Sequence, residues 1–356
     1  MGTTTERATL RIVDSAGSAR NIGQAHGEAL RAEIESGLGR WLQRIEGSHG
    51  GDPDAYIAGF LAETDYLPAI RRWTPELLDE VEGIAAGANQ PFDRIFAFNL
   101  LDEEWEFDKR RAAQAPGCTV ACLRDGGSGA PVLAQTMDIP TLHDGTQAAL
   151  RLRRDDAPGA VVLTYAGMIG LNGCNEAGIG VVVNNLEVLA SSPAGLPVAF
   201  VTRGILARRT LADAAAFVTS VSHATGQHYA IGGPNGIRAF EGWGNGVAEV
   251  PADGDRYVHT NHPLAADDLR GDPETAYTRS RTRERLDHVA THGAAARDRD
   301  GIQALLADTS TPVSIANRGE GYMTFGTIAM ELTVPPAVRI APGPPHDTPW
   351  QDIAWS

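Results

Sequence analysis

The chain has 356 residues, of which 42% are hydrophobic, so it is long enough to bury a large core within one domain. Its 45 acidic and 30 basic residues give a formal net charge of -15, which argues against a nucleic-acid-binding protein because such proteins carry a basic stripe. No apolar run approaches the roughly 20 residues of a membrane-spanning helix, and the first residues lack the apolar core of a signal peptide. Three cysteines, an odd number in a long chain, favour a reducing cytoplasm over a disulfide framework.

The first third of the chain reads mainly as helices. Apolar residues there recur at helical spacing, and a Thr-Pro pair is typical of a helix N-cap followed by proline in the first turn. The predicted helices are Ile22 to Glu46, Ala55 to Leu67, a helix that starts at Thr74-Pro75 and is closed by Gly87 and Asn89, and Phe92 to Phe107.

From Cys118 onward the pattern changes to short β-type runs. These are TVACLR, PVLAQT, AALRLR, AVVLTY, IGVVVNN, QHYAIGG, GIRAFE, RYVHT, YMTFGTIAMELT and AVRIAP. Helices are predicted between them at Ala199 to Ala207, Leu211 to Val221, Thr275 to His292 and Gly301 to Ala307, and the Pro-rich tail 343–356 is predicted to be irregular. Strands grouped in this way predict an α+β sheet sandwich with helices outside, rather than alternating βαβ units.

Cys118 stands where the helical part of the sequence gives way to strands. The turn-prone residues Ala115, Pro116 and Gly117 precede it, and a strand, a hairpin-type turn and the strand PVLAQTMD follow it. N-terminal-nucleophile hydrolases keep their catalytic residue at such a place, at the start of a strand behind the peptide bond that they cut themselves. The alternative is a buried, inert cysteine, because free Cys is among the most buried residue types.

Seven segments in order resemble the isopenicillin-N acyltransferase-like family of the N-terminal-nucleophile superfamily. They are GQAHGEAL (23–30), ELLDEVEGIAAGANQPFDRIFAFN (76–99), GCTV (117–120), AQTMD (134–138), LTYAGMIGLNGCNEAGIGVVVNNL (163–186), HTNH (259–262) and SIANR (314–318). The resemblance implies a four-layer α-β-β-α sandwich. It also implies one N-terminal-nucleophile domain over residues 1–356, which self-cleavage divides into a helical α-chain, 1–117, and a β-chain, 118–356.

The resemblance assigns the central chemistry to three residues. Cys118 is the nucleophile after cleavage at the Gly117–Cys118 bond, and its freed α-amino group is the general base, since such a group titrates at about 7.7–8.0. Asn261 is the oxyanion donor, and Asp138 holds the new α-amino group. From the residues alone, Asn261 is equally a turn cap and Asp138 an ordinary turn aspartate before Pro140.

Three further positions carry weaker assignments from the same resemblance. Arg318 would bring positive charge close to the thiolate or to Asp138, and the alternative is a surface salt bridge of little energetic value. Thr164 would bond the amine and Tyr165 would touch the substrate, on a strand that lines the active site. The alternative for both is an ordinary strand residue of high β-propensity, and for Tyr165 this alternative is slightly favoured.

Several other polar residues are assigned to structure rather than chemistry. Cys122 and Cys174 are expected to be core thiols, and His259 and His262 lack the further spaced ligands of a metal site. The acidic-aromatic run DEEWEFD (102–108) stands where the family resemblance predicts an arginine. We expect a solvated helix face there. If the acids instead lie near the pocket, the substrate carries an amine.

The sequence therefore predicts a self-processing cysteine amidohydrolase that cleaves, or transfers the acyl group of, a small linear amide through a Cys118 thioester. The alternative enzyme is an N-acyltransferase that moves an acyl group from a coenzyme A thioester, a substrate rather than a cofactor, to a small amine. A non-catalytic module that binds small amides is a third reading, but it needs no combination of Cys118, Asp138 and Asn261. We expect no cofactor, no metal, no nucleic-acid or membrane partner, and two fragments that stay associated; homo-oligomerisation is left open.

Overall fold

The computed structural model of this chain describes residues 10–108, 117–252, 254–316 and 321–355. The helices are α1 (Ala19–Ala29), α2 (Arg31–His49), α3 (Pro53–Ala62), α4 (Tyr66–Trp73), α5 (Pro75–Ala88), α6 (Phe92–Phe98), α7 (Leu101–Phe107), α8 (Val198–Leu206), α9 (Leu211–Ser220), α10 (Pro273–Ser280), α11 (Thr282–His292) and α12 (Arg299–Leu306). The strands are β1 (Arg11–Gly17), β2 (Thr119–Leu123), β3 (Val132–Pro140), β4 (Gln147–Arg154), β5 (Ala160–Tyr165), β6 (Asn172–Asn175), β7 (Gly180–Asn185), β8 (Gln227–Gly233), β9 (Gly236–Trp243), β10 (Gly246–Val250), β11 (Arg256–His259), β12 (Tyr322–Glu331), β13 (Ala337–Ala341) and β14 (Gln351–Ile353). In the part of the chain that the structure describes, no helix combines the length and the apolar character needed to cross a membrane.

Two sheets form the centre of the molecule. The larger sheet has the strand order β1-β4-β5-β6-β7-β8-β9-β10, and the smaller sheet has the order β11-β2-β3-β12-β13-β14. Within the described strands the pairings are antiparallel, except that β1 runs parallel to β4. The segment that contains Cys118 therefore enters the smaller sheet as an interior strand, β2, between β11 and β3.

The sheets pack face to face, and apolar side chains from both fill the space between them. Val120 and Leu133 of the smaller sheet share a fully buried cluster with Val161 and Val182 of the larger sheet. On the outside, α1, α8 and α9 contact the larger sheet, and α11 and α12 contact the smaller one. This layer order confirms the predicted four-layer α-β-β-α sandwich.

Close packing of α1 against α5 depends on glycine. A Cβ atom at Gly23 would lie 1.9 Å from the Glu80 carbonyl oxygen, and one at Gly87 would lie 2.2 Å from the Gln24 carbonyl oxygen. Gly87 is thus a packing residue inside α5, and the prediction that it helps to close this helix is wrong. The helix ends at Asn89, whose left-handed φ of 54° is a conformation that asparagine tolerates at helix ends.

The remaining differences from the sequence prediction concern boundaries and edge strands. The helix predicted from Thr275 to His292 is two helices, α10 and α11, because Arg281 adopts a left-handed φ of 50° between them. β1 lies in the part expected to be helical. It is an edge strand with alternating exposure, and its partner β4 lies far along the chain, so no local pattern indicates it.

Candidate active site

Gly117 and Cys118 directly precede β2, whose antiparallel pairing with β3 begins at Thr119. The Cys118 side chain is only 3% exposed, and its Sγ accepts a hydrogen bond from the backbone N–H of Asp138 at 3.3 Å. Burial, followed by the nearby Asp138 carboxyl, raises the pKa of the Cys118 thiol far above its usual range. In the intact chain the sulfur is therefore a protonated thiol, and it needs a base before it can act as a nucleophile.

Asp138 lies within β3 and is fully buried, so it is not the turn aspartate that the sequence left open. Its Oδ1 accepts a hydrogen bond from the Thr324 hydroxyl at 2.7 Å. Its Oδ2 is buried and has no hydrogen-bond partner among the described residues, and a Cβ built on Gly117 would lie 3.0 Å from it. Burial raises the pKa of Asp138 to about 7, against the opposing effects of Thr324 and Arg285.

Asn261 follows β11 and is linked to Cys118 through Arg285. Its Nδ2 donates to the Asn185 carbonyl oxygen at 3.0 Å, and its Oδ1 accepts from Arg285 Nη2 at 2.9 Å. Its backbone N–H donates to the Thr282 hydroxyl at 2.7 Å. Because the oxygen and the nitrogen of the amide each have a distinct partner, the orientation of the side chain is fixed. One N–H of Nδ2 remains available for an additional acceptor.

Arg285 connects these residues, and the sequence did not identify it. It is fully buried on α11, and its Nη1 donates to the Cys118 carbonyl oxygen at 2.7 Å and to the Thr119 hydroxyl at 3.0 Å. Burial lowers the pKa of its guanidinium to about 10, which leaves it charged at neutral pH. The surrounding sequence TRERLDHVATH reads as an exposed helix, and Arg283 on the same helix is indeed exposed, so no local signal distinguishes the two arginines.

A second side chain holds the backbone of Cys118. Asn184, at the end of β7, donates from Nδ2 to the Cys118 carbonyl oxygen at 3.1 Å, and its Oδ1 contacts His228 Nδ1 at 2.7 Å. The Cys118 carbonyl oxygen thus accepts hydrogen bonds from Arg285, on a helix that packs on the smaller sheet, and from Asn184, on the larger sheet. Neither hydrogen bond involves the peptide bond that precedes Cys118.

Thr164 and Tyr165 lie at the end of β5, and both hydroxyls have backbone partners. The Thr164 hydroxyl donates to the Met168 carbonyl oxygen at 3.0 Å, and the Tyr165 hydroxyl donates to the Phe98 carbonyl oxygen at 2.6 Å. Neither belongs to the described residues that line the cavity beside Cys118. Their assignments to the amine and to the substrate stay predictions. Arg318 lies outside the described residues.

A small cavity of about 30 Å³ adjoins Cys118, room for about one water molecule. Its walls are mainly apolar, and its polar lining consists of Asp102, Asp138, Asn185, Thr202 and Gln227. A much larger open groove runs beside it and shares two of its lining residues, Trp105 and Asn185. The groove and the cavity therefore adjoin each other at these two residues.

The acidic run on α7 is buried, so the expectation of a solvated helix face is wrong. Asp102, Glu103 and Glu104 are at most 9% exposed. Each finds a donor on a different element: Asp102 Oδ2 accepts from Gln227 Nε2 at 2.5 Å, and Glu103 Oε1 accepts from the Val198 N–H at 2.9 Å. Glu104 pairs with Arg44 at 2.9 Å. Asp102 is the acid that reaches the cavity.

The other cysteines and the histidines of the HTNH segment have structural surroundings. Cys122 and Cys174 are fully buried between the two sheets, and burial raises the pKa of Cys122 to about 12. His259 contacts Glu241 at 3.0 Å, and His262 contacts the Thr282 hydroxyl at 2.9 Å. Within the described ranges, no cluster of three His, Cys, Asp or Glu side chains has the arrangement of a metal site.

Comparison with known proteins gives one family and several relatives. Residues 124–341 match the family described as acyl-coenzyme A:6-aminopenicillanic acid acyl-transferase. A relative from Emericella nidulans, the acyl-coenzyme A:6-aminopenicillanic-acid-acyltransferase 40 kDa form, is 27% identical over 255 residues, which are 70% of this chain and 68% of the relative.

Solved structures with a similar course of the chain are more distant. A mutant of the conjugated bile acid hydrolase from Clostridium perfringens aligns with a TM-score of 0.46 at 12% identity, over 67% of this chain and 97% of that one. Penicillin V acylase from Agrobacterium tumefaciens aligns with a TM-score of 0.40 at 13% identity, over 66% and 86% of the two chains.

Proposed function

This chain belongs to the acyl-coenzyme A:6-aminopenicillanic acid acyl-transferase family, and on that premise we propose that Cys118 becomes the N-terminal nucleophile of a self-processed enzyme. The family makes the chain an enzyme that transfers or hydrolyses acyl groups. Our proposal adds the residue that carries the acyl group, the cleavage that activates it, and a small linear amide as the substrate.

Processing uses the Cys118 thiol as the nucleophile and consumes only water. The thiol adds to the carbonyl carbon of Gly117, the Gly117–Cys118 C–N bond breaks, and a thioester forms between that carbonyl and Sγ. The thiol proton ends on the freed α-amino group. Water then hydrolyses the thioester, which leaves a carboxylate on Gly117 and both a thiol and an α-amino group on Cys118.

The observation that supports this best is the unpartnered Oδ2 of Asp138. A buried carboxylate oxygen without a partner is costly, and this one lies close to Gly117, the residue whose peptide bond to Cys118 the cleavage would break to give an ammonium group. The amine supplies the missing partner, and the carboxylate holds the amine beside the thiol. Arg285 and Asn184 keep the Cys118 carbonyl in place after the chain is cut.

In the catalytic cycle, the α-amino group takes the thiol proton while Sγ attacks the substrate carbonyl. Asn261 donates its free N–H to the developing oxyanion, and the protonated amine passes its proton to the leaving amine. Water then attacks the thioester and releases the acid. Arg318 is proposed to add positive charge near Asp138.

Acyl transfer is the second candidate, because the relative from Emericella nidulans is named as an acyl-coenzyme A-dependent transferase. The same Cys118 thioester forms from a coenzyme A thioester, and a small amine rather than water then accepts the acyl group. The two reactions differ only in the donor and the acceptor, so one site serves both. A non-catalytic amide-binding module leaves the convergence of Cys118, Asp138 and Asn261 without a purpose.

We also propose a cytoplasmic location, small-molecule substrates and no nucleic-acid partner. All three cysteines are free thiols, which suits a reducing compartment, and the net charge of -15 disfavours nucleic acid.

A screen of acyl donors tests this function. Purified protein is incubated with short N-acyl anilides and with acyl-coenzyme A thioesters, each with and without a small primary amine, and the products are identified by mass spectrometry. We expect the protein to gain the mass of the acyl group on Cys118 and to release acid from the anilides. Full turnover by the Cys118→Ala variant would contradict the proposal.

A further inference from the structure

The cavity beside Cys118 offers a negative charge without a cationic partner. Asp102 lines it, and its carboxyl accepts hydrogen bonds from the side-chain amides of Gln227 and Asn185. Both donors are neutral, and Asp102 forms no ion pair with any residue that the structure describes. A buried carboxylate of this kind is usually paired with a cation or coordinates one.

Two more acceptors on the same lining lack partners. Gln227 Oε1 and the Thr202 hydroxyl oxygen are buried and have no hydrogen-bond partner within the described ranges. Gln227 is 1% exposed and Thr202 is 0% exposed. Native proteins leave few buried polar atoms unsatisfied. Gln227 Oε1 can only accept, so it indicates a donor that a ligand brings into the cavity, and the Thr202 hydroxyl is able to accept from the same donor. Trp105 Nε1, on the same lining, is a buried donor without a partner, which suits an acceptor of the ligand such as an amide carbonyl oxygen.

Burial raises the pKa of Glu103, next to Asp102, to about 8, so Glu103 is mostly neutral at pH 7 and Asp102 is the acid of α7 that brings charge to this wall. Thr202 lies one helical turn after Val198 on α8, and Val198 donates its backbone N–H to Glu103, the residue next to Asp102. Among the described residues that line the cavity, there is no Lys, Arg or His. A substrate carboxylate would therefore meet a buried negative charge and no compensating cation.

We infer that this wall binds a primary ammonium group, so that the enzyme acts on small amides carrying a cationic amine on either side of the scissile bond. The inference rests on the proposed function, because it assigns the substrate class of the same Cys118 site. An ammonium group has three donors and no acceptor. The Asp102 carboxylate, Gln227 Oε1 and the Thr202 hydroxyl provide three acceptors, and hydrogen bonds between charged groups are the strongest that a protein forms.

Two matched pairs of amides test the inference and locate the ammonium group. On the acyl side, β-alanyl p-nitroanilide is compared with butanoyl p-nitroanilide, in which a methyl group replaces the ammonium. On the amine side, N-(2-aminoethyl)butanamide is compared with N-propylbutanamide. We expect kcat/KM to favour the ammonium member of at least one pair by roughly 10- to 100-fold, the range typical of a hydrogen bond to a charged group.

Variants then assign the preference to this wall. Asp102→Asn should bring the ratio within the favoured pair close to one. Asp93→Asn, which removes an exposed charge from the neighbouring helix α6, away from the cavity and the groove, should keep the ratio. If Asp102→Asn does not process itself, Thr202→Val replaces it and should lower the ratio by several-fold, since one of three acceptors is lost. A ratio unchanged in the processed Asp102→Asn variant, or in Thr202→Val when that variant takes its place, contradicts the inference.

A binding measurement separates this inference from the proposed function. Propylammonium should raise the melting temperature of the wild type and not that of Asp102→Asn. Where Asp102→Asn does not process, Thr202→Val should show a smaller shift than the wild type. Propanoate should raise none of these melting temperatures. Equal kcat/KM within both pairs, or no shift with propylammonium, overturns the ammonium site and leaves the Cys118 thioester standing. A clear propylammonium shift with no turnover of any amide and no acyl-enzyme counts against the proposed function instead.

Discussion

A single buried arginine organises the candidate site. Arg285 bonds the Cys118 carbonyl, the Thr119 hydroxyl and the Asn261 amide oxygen, so it sets the relative positions of the nucleophile and the proposed oxyanion donor. The planar fork of a guanidinium suits such a task because it presents several donors in fixed directions. We regard Arg285 as a positioning residue.

Arg285→Lys should therefore keep the positive charge but lose the planar set of donors that the guanidinium presents. We expect kcat to fall by roughly 10- to 100-fold with a small change in KM, because Asn261 loses its orientation for the transition state. Arg283→Lys is the matched control, since Arg283 lies on the same helix and pairs at the surface with Glu274. Equal kinetics for both variants would remove Arg285 from the mechanism.

Asn261→Ala should lower kcat by roughly 10²–10³ with little change in KM, because an oxyanion donor acts in the transition state. Steady-state kinetics on the processed variant measure both constants. A tenfold rise in KM at constant kcat would instead make Asn261 a substrate-binding residue.

Asp138→Asn should shift the pH dependence of activity. A carboxylate beside the α-ammonium of Cys118 favours the charged amine and raises its pKa, so its removal lowers that pKa. The rising limb of the pH–rate profile should then move to lower pH in the processed variant, together with a loss of turnover from poorer positioning. A limb that stays in place or moves upward contradicts this role for Asp138.

The motifs of the sequence pointed to residues that the structure brings into one region, and they gave no sign of Arg285. Cys118 contacts Asp138 directly, and Arg285 links Cys118 to Asn261. The catalytic roles of these residues stay predictions. Arg285 belongs to a charge-rich helix whose pattern gives no hint of burial. The Thr164 hydroxyl donates to a carbonyl oxygen in the turn after its strand, a partner that the sequence pattern does not reveal.

At the scale of elements, α7 shows most clearly where local pattern fails. Short charged segments usually face water, but this helix is inserted among α2, α8 and β8, and each of its buried acids takes a donor from one of them. Those donors are far away in the sequence. Glycines in α1 and α5 matched family motifs, but their purpose, the close approach of two helix backbones, is visible only in the packing.

Burial of α7 predicts a pH-dependent stability effect at Glu103. Burial, followed by Asp102, raises the pKa of Glu103 to about 8. A carboxyl with a raised folded-state pKa stabilises the fold below its unfolded pKa, near 4.3, and this stabilisation is lost as the pH rises through 8. Glutamine stays neutral at every pH. The free energy of unfolding of Glu103→Gln, relative to that of the parent, should therefore rise by up to about 1.4 kcal/mol per pH unit across this window.

Thermal melts of Glu103→Gln at pH 5 and pH 8 test this, in the Cys118→Ala background so that every chain remains intact. The melting temperature of Glu103→Gln relative to its parent should rise with pH. A difference that stays constant, or that falls as the pH rises, would show that Glu103 is ionised in the folded protein throughout.

At the scale of the whole molecule, both sides of the proposed cleavage site build one fold. β1 pairs along its length with β4, and α1, which packs on α5, contacts both strands. β1, α1 and α5 precede Cys118, whereas β4 follows it. The four layers could be predicted from the family resemblance. The strand order could not, because it depends on pairings between distant segments.

The central claim is tested most directly by the masses of the purified wild type and the Cys118→Ala variant. We predict two wild-type fragments of about 12 kDa and about 25 kDa, the shares of 37.7 kDa that 117 and 239 of 356 residues represent, the second beginning with Cys118. They should co-elute under native conditions and separate only in denaturant. Cys118→Ala should remain one inactive chain of full length. A fully active wild type that persists as one intact chain would contradict the account.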